Sequence, residues 1–318
     1  MGLARLGYRV ASVGRVGDDP FGASVRRVLR GEGVDVAAAR IDRDRPTGLL
    51  VRDCLAERPI TVHYARAGSA GSALESGDLP ADWTGVRMLH VSGITPMLSR
   101  SARAATHAAV DAARSAGALI SVDPNVRLRL GDRNAWREAL MPLVAGADPV
   151  TTGRDEAALR GGGDDPVAWL HAQGARWVTV KDGVRGAVGS DGGTVVYQPA
   201  IPGAAVDPVG AGDAFTAGWL SAVRRGLPLR AALAEAAAVA AARVQVAGDA
   251  VEVSLTTPGA LDAIAELADE VPSGAVLGAG TLLDARRPAP RSARVPVSWS
   301  APPWTSRCCG PACAPGRR

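Results

Sequence analysis

Asp207-Pro208-Val209-Gly210-Ala211-Gly212-Asp213-Ala214-Phe215 is the stretch around which the chain is organised. Residues 216–225 continue it as a small-residue helical run that stops at Gly226-Leu227-Pro228. A Gly-Ala-Gly turn entering a helix leaves several backbone N–H groups unpaired and aimed one way. With the helix dipole behind them, Gly210, Ala211 and Gly212 form an anion site. A Cβ on either glycine would hold a phosphate away from the backbone. Asp213 stands at the helix entrance, beside that anion. Like charges repel, so a carboxylate there is ill suited to hold phosphate; it suits a general base that takes a proton from a hydroxyl attacking phosphorus. The plainer reading of the same residues is a tight turn with Asp213 as the helix N-cap.

A length of 318 residues suits one large α/β domain or two small ones. Hydrophobic residues make up 47% and aromatics only 4%, so Ala, Val, Leu and Gly do the packing. The net charge of +4 is unevenly spread, since residues 286–318 hold many Arg and no acid. No basic patch is interleaved with aromatics, which argues against a nucleic-acid partner despite a pI near 9.2. No apolar run is long enough to span a membrane, and no signal-peptide pattern opens the chain. Cys54 is the single cysteine before residue 308, which fits a reducing, cytoplasmic setting.

Residues 1–7 read as the last turn of a helix closed by Gly7, followed by a strand over 8–13. Asp18 or Asp19 with Pro20 opens a helix running to Gly31. Short β-type runs at 47–52 and 60–66 suggest a small β lid within about 37–67. Strands are expected at 87–94, 118–123, 149–152 and 176–181, alternating with helices at 99–116, 135–144 and through Glu156 and Trp169. Such alternation implies a largely parallel sheet covered on both faces. Residues 183–198 read as a hairpin turning at Asp191-Gly192-Gly193, and helices are expected at 229–247 and 258–271. Residues 286–318 have no period of either kind and cannot bury a core. Cys308, Cys309 and Cys313 fit no zinc spacing.

Asp207-x-x-Gly-Ala-Gly-Asp-x-Phe resembles the C-terminal signature of the ribokinase-like (phosphofructokinase B) family of sugar kinases, as does Gly17-Asp18-Asp19-Pro20-Phe21-Gly22 within 14–36. The resemblance covers about residues 1–271 and implies an α/β ribokinase-like three-layer sandwich, with a mostly parallel sheet and a β lid. It makes Asp213 the catalytic base and Gly210, Ala211 and Gly212 the anion hole. It places Glu156 where the family's Asn-x-x-Glu helps hold Mg²⁺ through water, with Gly153 standing where Asn would be; a helix-terminal acid favoured by the dipole is the alternative. It sets Lys181 and Gly183 beside the ATP phosphates, unless Lys181 is a solvated loop lysine. In the family, a first strand and a helix opening with Gly-Gly-x-x-x-Asn precede the stretch matched by residues 1–7. An N-terminally shortened kinase is therefore expected, with the strand at 8–13 inside the sheet beside an empty slot.

Tyr64 and Arg66 share a face of a lid strand, because alternate residues of a strand do. Arg127, in Asp123-Pro124-Asn125-Val126-Arg127, lies in the loop after a core strand, where ligands bind in open α/β sheets. Singly, either arginine suits a surface position; together they suit a carboxylate held bidentately. Both strings resemble the branch of the family that phosphorylates 2-keto-3-deoxygluconate, a sugar acid. That resemblance implies phosphoryl transfer from ATP, with Mg²⁺, to this acceptor, held by Tyr64, Arg66, Arg127 and Asp213. A kinase for another sugar or nucleoside, or an inactive remnant, is the alternative, and homo-oligomerisation stays open. Residues 274–285 resemble a segment of 2-keto-3-deoxy-6-phosphogluconate aldolase, which sets 272–318 apart as a poorly structured, aldolase-like tail.

Overall fold

Successive residues of Leu119-Ile-Ser-Val-Asp123 point to opposite faces of a strand, and here they alternate in kind. Ile120 and Val122 are wholly buried on one face, while Ser121 and Asp123 are buried on the other. The neighbouring strands place Val150, Val178 and Val180 with Ile120 and Val122 on one face, and Thr151, Thr179 and Lys181 on the other. The computed structural model describes residues 1–53, 61–158, 165–203, 209–245, 250–254 and 276–280. Outside them lie Cys54, Asp207 and Pro208, the expected helix at 258–271, and the tail at 286–318 with its three cysteines.

The chain opens with α1 (Gly2–Arg5), β1 (Val10–Ala11), β2 (Gly14–Gly17) and α2 (Pro20–Gly31). Then come β3 (Val34–Asp35), β4 (Ala39–Asp42), β5 (Leu49–Asp53) and β6 (Thr61–Ala65). The core runs through β7 (Met88–Ser92), α3 (Thr95–Leu98), α4 (Arg100–Ser115), β8 (Leu119–Asp123) and α5 (Arg133–Val144). It continues with β9 (Pro149–Gly153), α6 (Arg154–Ala158), α7 (Pro166–Ala172), β10 (Trp177–Lys181), β11 (Ala187–Ser190) and β12 (Val195–Gln198). Last are α8 (Ala211–Arg224), α9 (Leu229–Gln245), β13 (Ala250–Ser254) and β14 (Val276–Gly280). Two compact units divide the chain: residues 1–202 with 212–241, and residues 203–211 with 242–318.

In the first unit the main sheet has six strands in the order β12-β11-β10-β9-β8-β7. The four from β7 to β10 are parallel, and the hairpin β11–β12 adds two antiparallel strands at one edge. Ile120, Val122, Val150, Val178 and Val180 pack against Val110 of α4, Trp136 and Leu140 of α5, and Leu170 of α7. Phe215, Trp219 and Leu220 of α8 pack with Leu233 of α9, Ala187 and Val196 over the opposite face. This is the expected three-layer α/β/α arrangement. β5 pairs antiparallel with β6, and β2 pairs parallel with β4.

In the first fifty residues the helix expected from Asp18 or Asp19 to Gly31 forms as α2, and one expectation fails. The strand expected over 8–13 is only Val10–Ala11, and it pairs with β3 in a separate two-stranded sheet rather than inside the main one. Gly17-Asp18-Asp19-Pro20-Phe21-Gly22 has a structural purpose: Asp19 caps α2 through Gly22 N–H at 2.8 Å and also accepts from Thr47 N–H at 2.7 Å and its hydroxyl at 2.8 Å. Gly17 N–H donates to the same Thr47 hydroxyl at 2.9 Å, so the turn is knotted to a residue two positions before β5. These hydrogen bonds, first that from the Thr47 backbone, hold the Asp19 carboxyl below its ordinary pKa. In the second unit β13 and β14 pair in parallel.

Candidate functional site

The helix carrying Asp213 begins earlier than its apolar pattern suggests. Gly210 has φ +80, a left-handed value that glycine adopts without strain, and Ala211 is already helical. Asp213 is therefore the third residue of α8, within the first turn and exposed, and not its N-cap. A carboxylate there is favoured by the positive end of the helix and is open to solvent. In the second unit, Arg243 Nε lies 3.6 Å from where a Cβ on Gly210 would sit, a basic group that sequence reasoning did not connect with this turn.

Lys181 is not a solvated loop lysine. Its ammonium lies 2.8 Å from Asp123 Oδ2, with the two side chains 20% and 8% exposed. It also lies 3.5 Å from the position of a Cβ on Gly212, so the lysine closes on the start of α8. Gly183, two residues on, has φ +56 and opens a short 3₁₀ turn beside Asp182. Arg185, and then Arg154, hold the half-buried Asp182 carboxyl down to about 2.

Glu156 lies in α6, directly after β9. Its Oε2 accepts Gly153 N–H at 3.1 Å and the Thr152 hydroxyl at 3.3 Å, while Oε1 lies 3.5 Å from Arg127. Among the described residues no three His, Cys, Asp or Glu side chains cluster as a metal cage. Mg²⁺ that travels with nucleotide phosphates needs only one or two protein carboxylates, with waters and phosphate oxygens completing its shell. A single oriented, partly exposed carboxylate at a strand's carboxyl end fits that demand.

Tyr64, Arg66 and Arg127 come together, as their two sequence strings suggest. With Arg129 and Leu130 they line one cavity of roughly 190 Å³. The Arg66 guanidinium stacks over the Tyr64 ring, 4.3 Å from its centre, which orients it. Arg127 donates to its neighbour Val126 O at 2.9 Å and faces Glu156. Arg129 was missed in the sequence; its signal is its place two residues past Arg127, in the same basic loop. The loop is shaped by Asn125, which adopts φ 44, and by Gly93, where a Cβ would run into the Pro124 carbonyl.

The family described as pfkB family carbohydrate kinase matches residues 1–255. The chain is 35% identical over 255 residues to 2-dehydro-3-deoxygluconokinase of Bacillus subtilis (strain 168), covering 78% of this chain and 79% of that protein. It is 37% identical over 234 residues to a fructokinase of Klebsiella pneumoniae, covering 72% of this chain and 76% of that one. The crystal structure of a PfkB protein from Polaromonas sp. JS666 superposes with a TM-score of 0.70 at 31% identity, over 77% of this chain and 83% of the other. No helix among the described residues is long and apolar enough to cross a membrane.

Proposed function

The chain belongs to the pfkB family of carbohydrate kinases and is an ATP-dependent sugar kinase, and we propose that its acceptor is the sugar acid 2-keto-3-deoxygluconate, phosphorylated on its primary hydroxyl to the 6-phosphate. The observation that carries this choice is the cavity lined by Tyr64, Arg66, Arg127 and Arg129. Three guanidinium groups around one small space are ill matched to a neutral hexose and well matched to a carboxylate, which a guanidinium holds through paired charge-assisted hydrogen bonds. The strands within residues 37–67 would act as the lid that brings Tyr64 and Arg66 to the acceptor.

In this reading Asp213 takes the proton of the primary hydroxyl as its oxygen attacks the γ-phosphorus. The new O–P bond forms while the bond from phosphorus to the bridging oxygen of ADP breaks, and ADP leaves with that electron pair. The backbone N–H groups of Gly210, Ala211 and Gly212 face the charge that gathers on the transferred group, and Lys181 adds a positive charge beside Gly212. Gly183 lets the chain turn close to the nucleotide phosphates. Bound with ATP, Mg²⁺ neutralises phosphate charge, and Glu156 is the residue that would hold it.

The fructokinase of Klebsiella pneumoniae is as similar as the 2-dehydro-3-deoxygluconokinase of Bacillus subtilis, which makes fructose the second candidate acceptor. ADP formation, followed by a coupled assay with 2-keto-3-deoxygluconate and with fructose, separates the two. A kcat/KM at least about tenfold higher for the acid is expected, the scale of one charge-assisted hydrogen bond. Equal or better use of fructose would remove the acid from the proposal and leave the kinase.

A further inference from the structure

Asp123 ends β8 with its side chain buried, on the face opposite Ile120 and Val122. Both carboxylate oxygens are engaged. Oδ1 accepts the Asn125 N–H at 3.2 Å. Oδ2 accepts Lys181 Nζ at 2.8 Å and the Thr216 hydroxyl at 3.4 Å. These partners belong to three separate parts of the site. Asn125 shapes the loop that carries Arg127 and Arg129 to the acceptor cavity. Lys181 ends β10 and stands beside Gly212. Thr216 lies on α8, one turn beyond Gly212, and its hydroxyl also bonds the Gly212 carbonyl at 2.9 Å.

We propose that Asp123 is a positioning residue for phosphoryl transfer: one carboxylate fixes the Lys181 ammonium at the start of α8 and ties the acceptor loop and the Asp213 helix to the same point. The proposal rests on the kinase reading and on the assignment of Lys181 to the phosphates. A buried ion pair is a poor device for stability, because desolvating both charges cancels most of their attraction, and apolar residues of similar size do as well. Ile120 and Val122, the β-branched aliphatic residues of β8, pack on its opposite face. What the pair does supply is a fixed place for a charge. An unpaired lysine samples many rotamers and would have to be ordered by the phosphate each time. Asp123 takes one of its three N–H donors and leaves two for an anion at Gly212.

The test uses the full chain as wild type, Asp123→Asn, Lys181→Met and the double variant, with kcat for phosphoryl transfer, ATP affinity by calorimetry and melting temperature measured on each. Asn keeps the size of Asp and can still accept from Asn125 N–H, but it offers the ammonium no opposite charge and turns a donor NH₂ towards it. Asp123→Asn is expected to lower kcat about 100-fold, the scale of one lost charge-stabilising donor. Lys181→Met should do about the same, and the double variant no worse than Lys181→Met alone, since the two act through one contact. Losses that multiply in the double variant, or an unchanged kcat in Asp123→Asn, would overturn the proposal. If Asp123→Asn does not fold, Asp123→Glu keeps the charge but moves the carboxylate by one methylene; a drop in kcat of about tenfold supports positioning, and full activity refutes it. A wild type that transfers phosphate to no sugar would sink the proposed reaction instead. ATP affinity then decides: weakening shared between Asp123→Asn and Lys181→Met keeps the positioning role, and independent effects end it.

Discussion

Replacing Arg66 or Arg127 with alanine tests the acceptor through a ratio rather than a rate. Arg127 also faces Glu156 at 3.5 Å, so its removal alters the local charge for every acceptor alike. The ratio of kcat/KM for 2-keto-3-deoxygluconate to that for fructose cancels such shared losses and isolates the carboxylate contact. A hydrogen bond to a charged group contributes about 1.5–3 kcal/mol. The Arg127 side chain is 43% exposed, so water screens it and the lower figure applies. At about 1.4 kcal/mol per decade, Arg127→Ala should lower the ratio roughly tenfold. Arg66→Ala should do at least as much, because its guanidinium is already oriented over Tyr64. The double variant should fall short of the product, since both arginines would hold one group. Arg127→Lys is expected to recover part of the ratio, as a point charge without the planar fork. The assay is ADP release at several concentrations of each acceptor. Equal losses on the acid and on fructose, which leave the ratio at its wild-type value, would refute the carboxylate assignment.

Asp213→Asn should lower kcat about a thousandfold while ATP affinity and melting temperature stay close to wild type, because the residue is exposed and is not the helix cap; intact turnover would dismiss it as the base. Gly22→Ala would push a methyl group into the Gly17 carbonyl and to within 2.9 Å of Thr47 Oγ1, inside the Asp19 knot. A cost of about 3 kcal/mol is expected, lowering the melting temperature by roughly 5–10 °C, and an unchanged value would show that the knot yields easily. Asp182 is held down to about 2 by Arg185 and Arg154, against an unfolded value of about 3.9. A depressed carboxyl stabilises the fold above its unfolded pKa and loses that contribution as pH falls towards 2. Asp182→Asn should therefore melt below wild type at pH 5 and together with it at pH 2; a gap that stays constant over that window would sink the linkage.

How much of the fold was legible follows from what each segment buries. Residues 119–123, 149–153 and 177–181 are rich in β-branched residues, and all three are adjacent parallel strands. Ser99 announces α4 as its N-cap, and Asp191-Gly192-Gly193 announces the β11–β12 turn. The start of α8 was less legible because Gly210 to Asp213 contain no apolar residue larger than alanine, and periodicity cannot register a turn of helix that buries no side chain. The run at 8–13 has the apolar, β-branched texture of a longer strand, yet it pairs only at Val10 and Ala11. Strand length depends on the partner as much as on the residues, and a single sequence does not name the partner.

The site was legible where function needs an unusual string and opaque where it needs a common residue in an unusual place. Tyr64-x-Arg66 and Asp123-x-Asn125-x-Arg127 stood out by resemblance to the sugar-acid branch of the family, and the structure brings their arginines to one cavity. Lys181 stood out only by position, with a solvated lysine as the rival reading, until its contact with a carboxylate 58 residues away was visible. Asp123 stood out only as the opening of the string that carries Arg127, and nothing in the string pointed to Lys181, since an aspartate after a strand is commonly a turn former. Its distinction is that β8 sits inside the sheet with β10 two strands away and α8 laid over the same face, so that one carboxylate reaches Asn125, Lys181 and Thr216 together. In a doubly covered parallel sheet the strand ends are the one place where polar groups from distant parts of the chain can meet beside a helix terminus. The polar residues on this face of β8, β9 and β10 are thus the continuation of the proposed site into the core, beside the apolar cluster that α8 and α9 form with Ala187 and Val196.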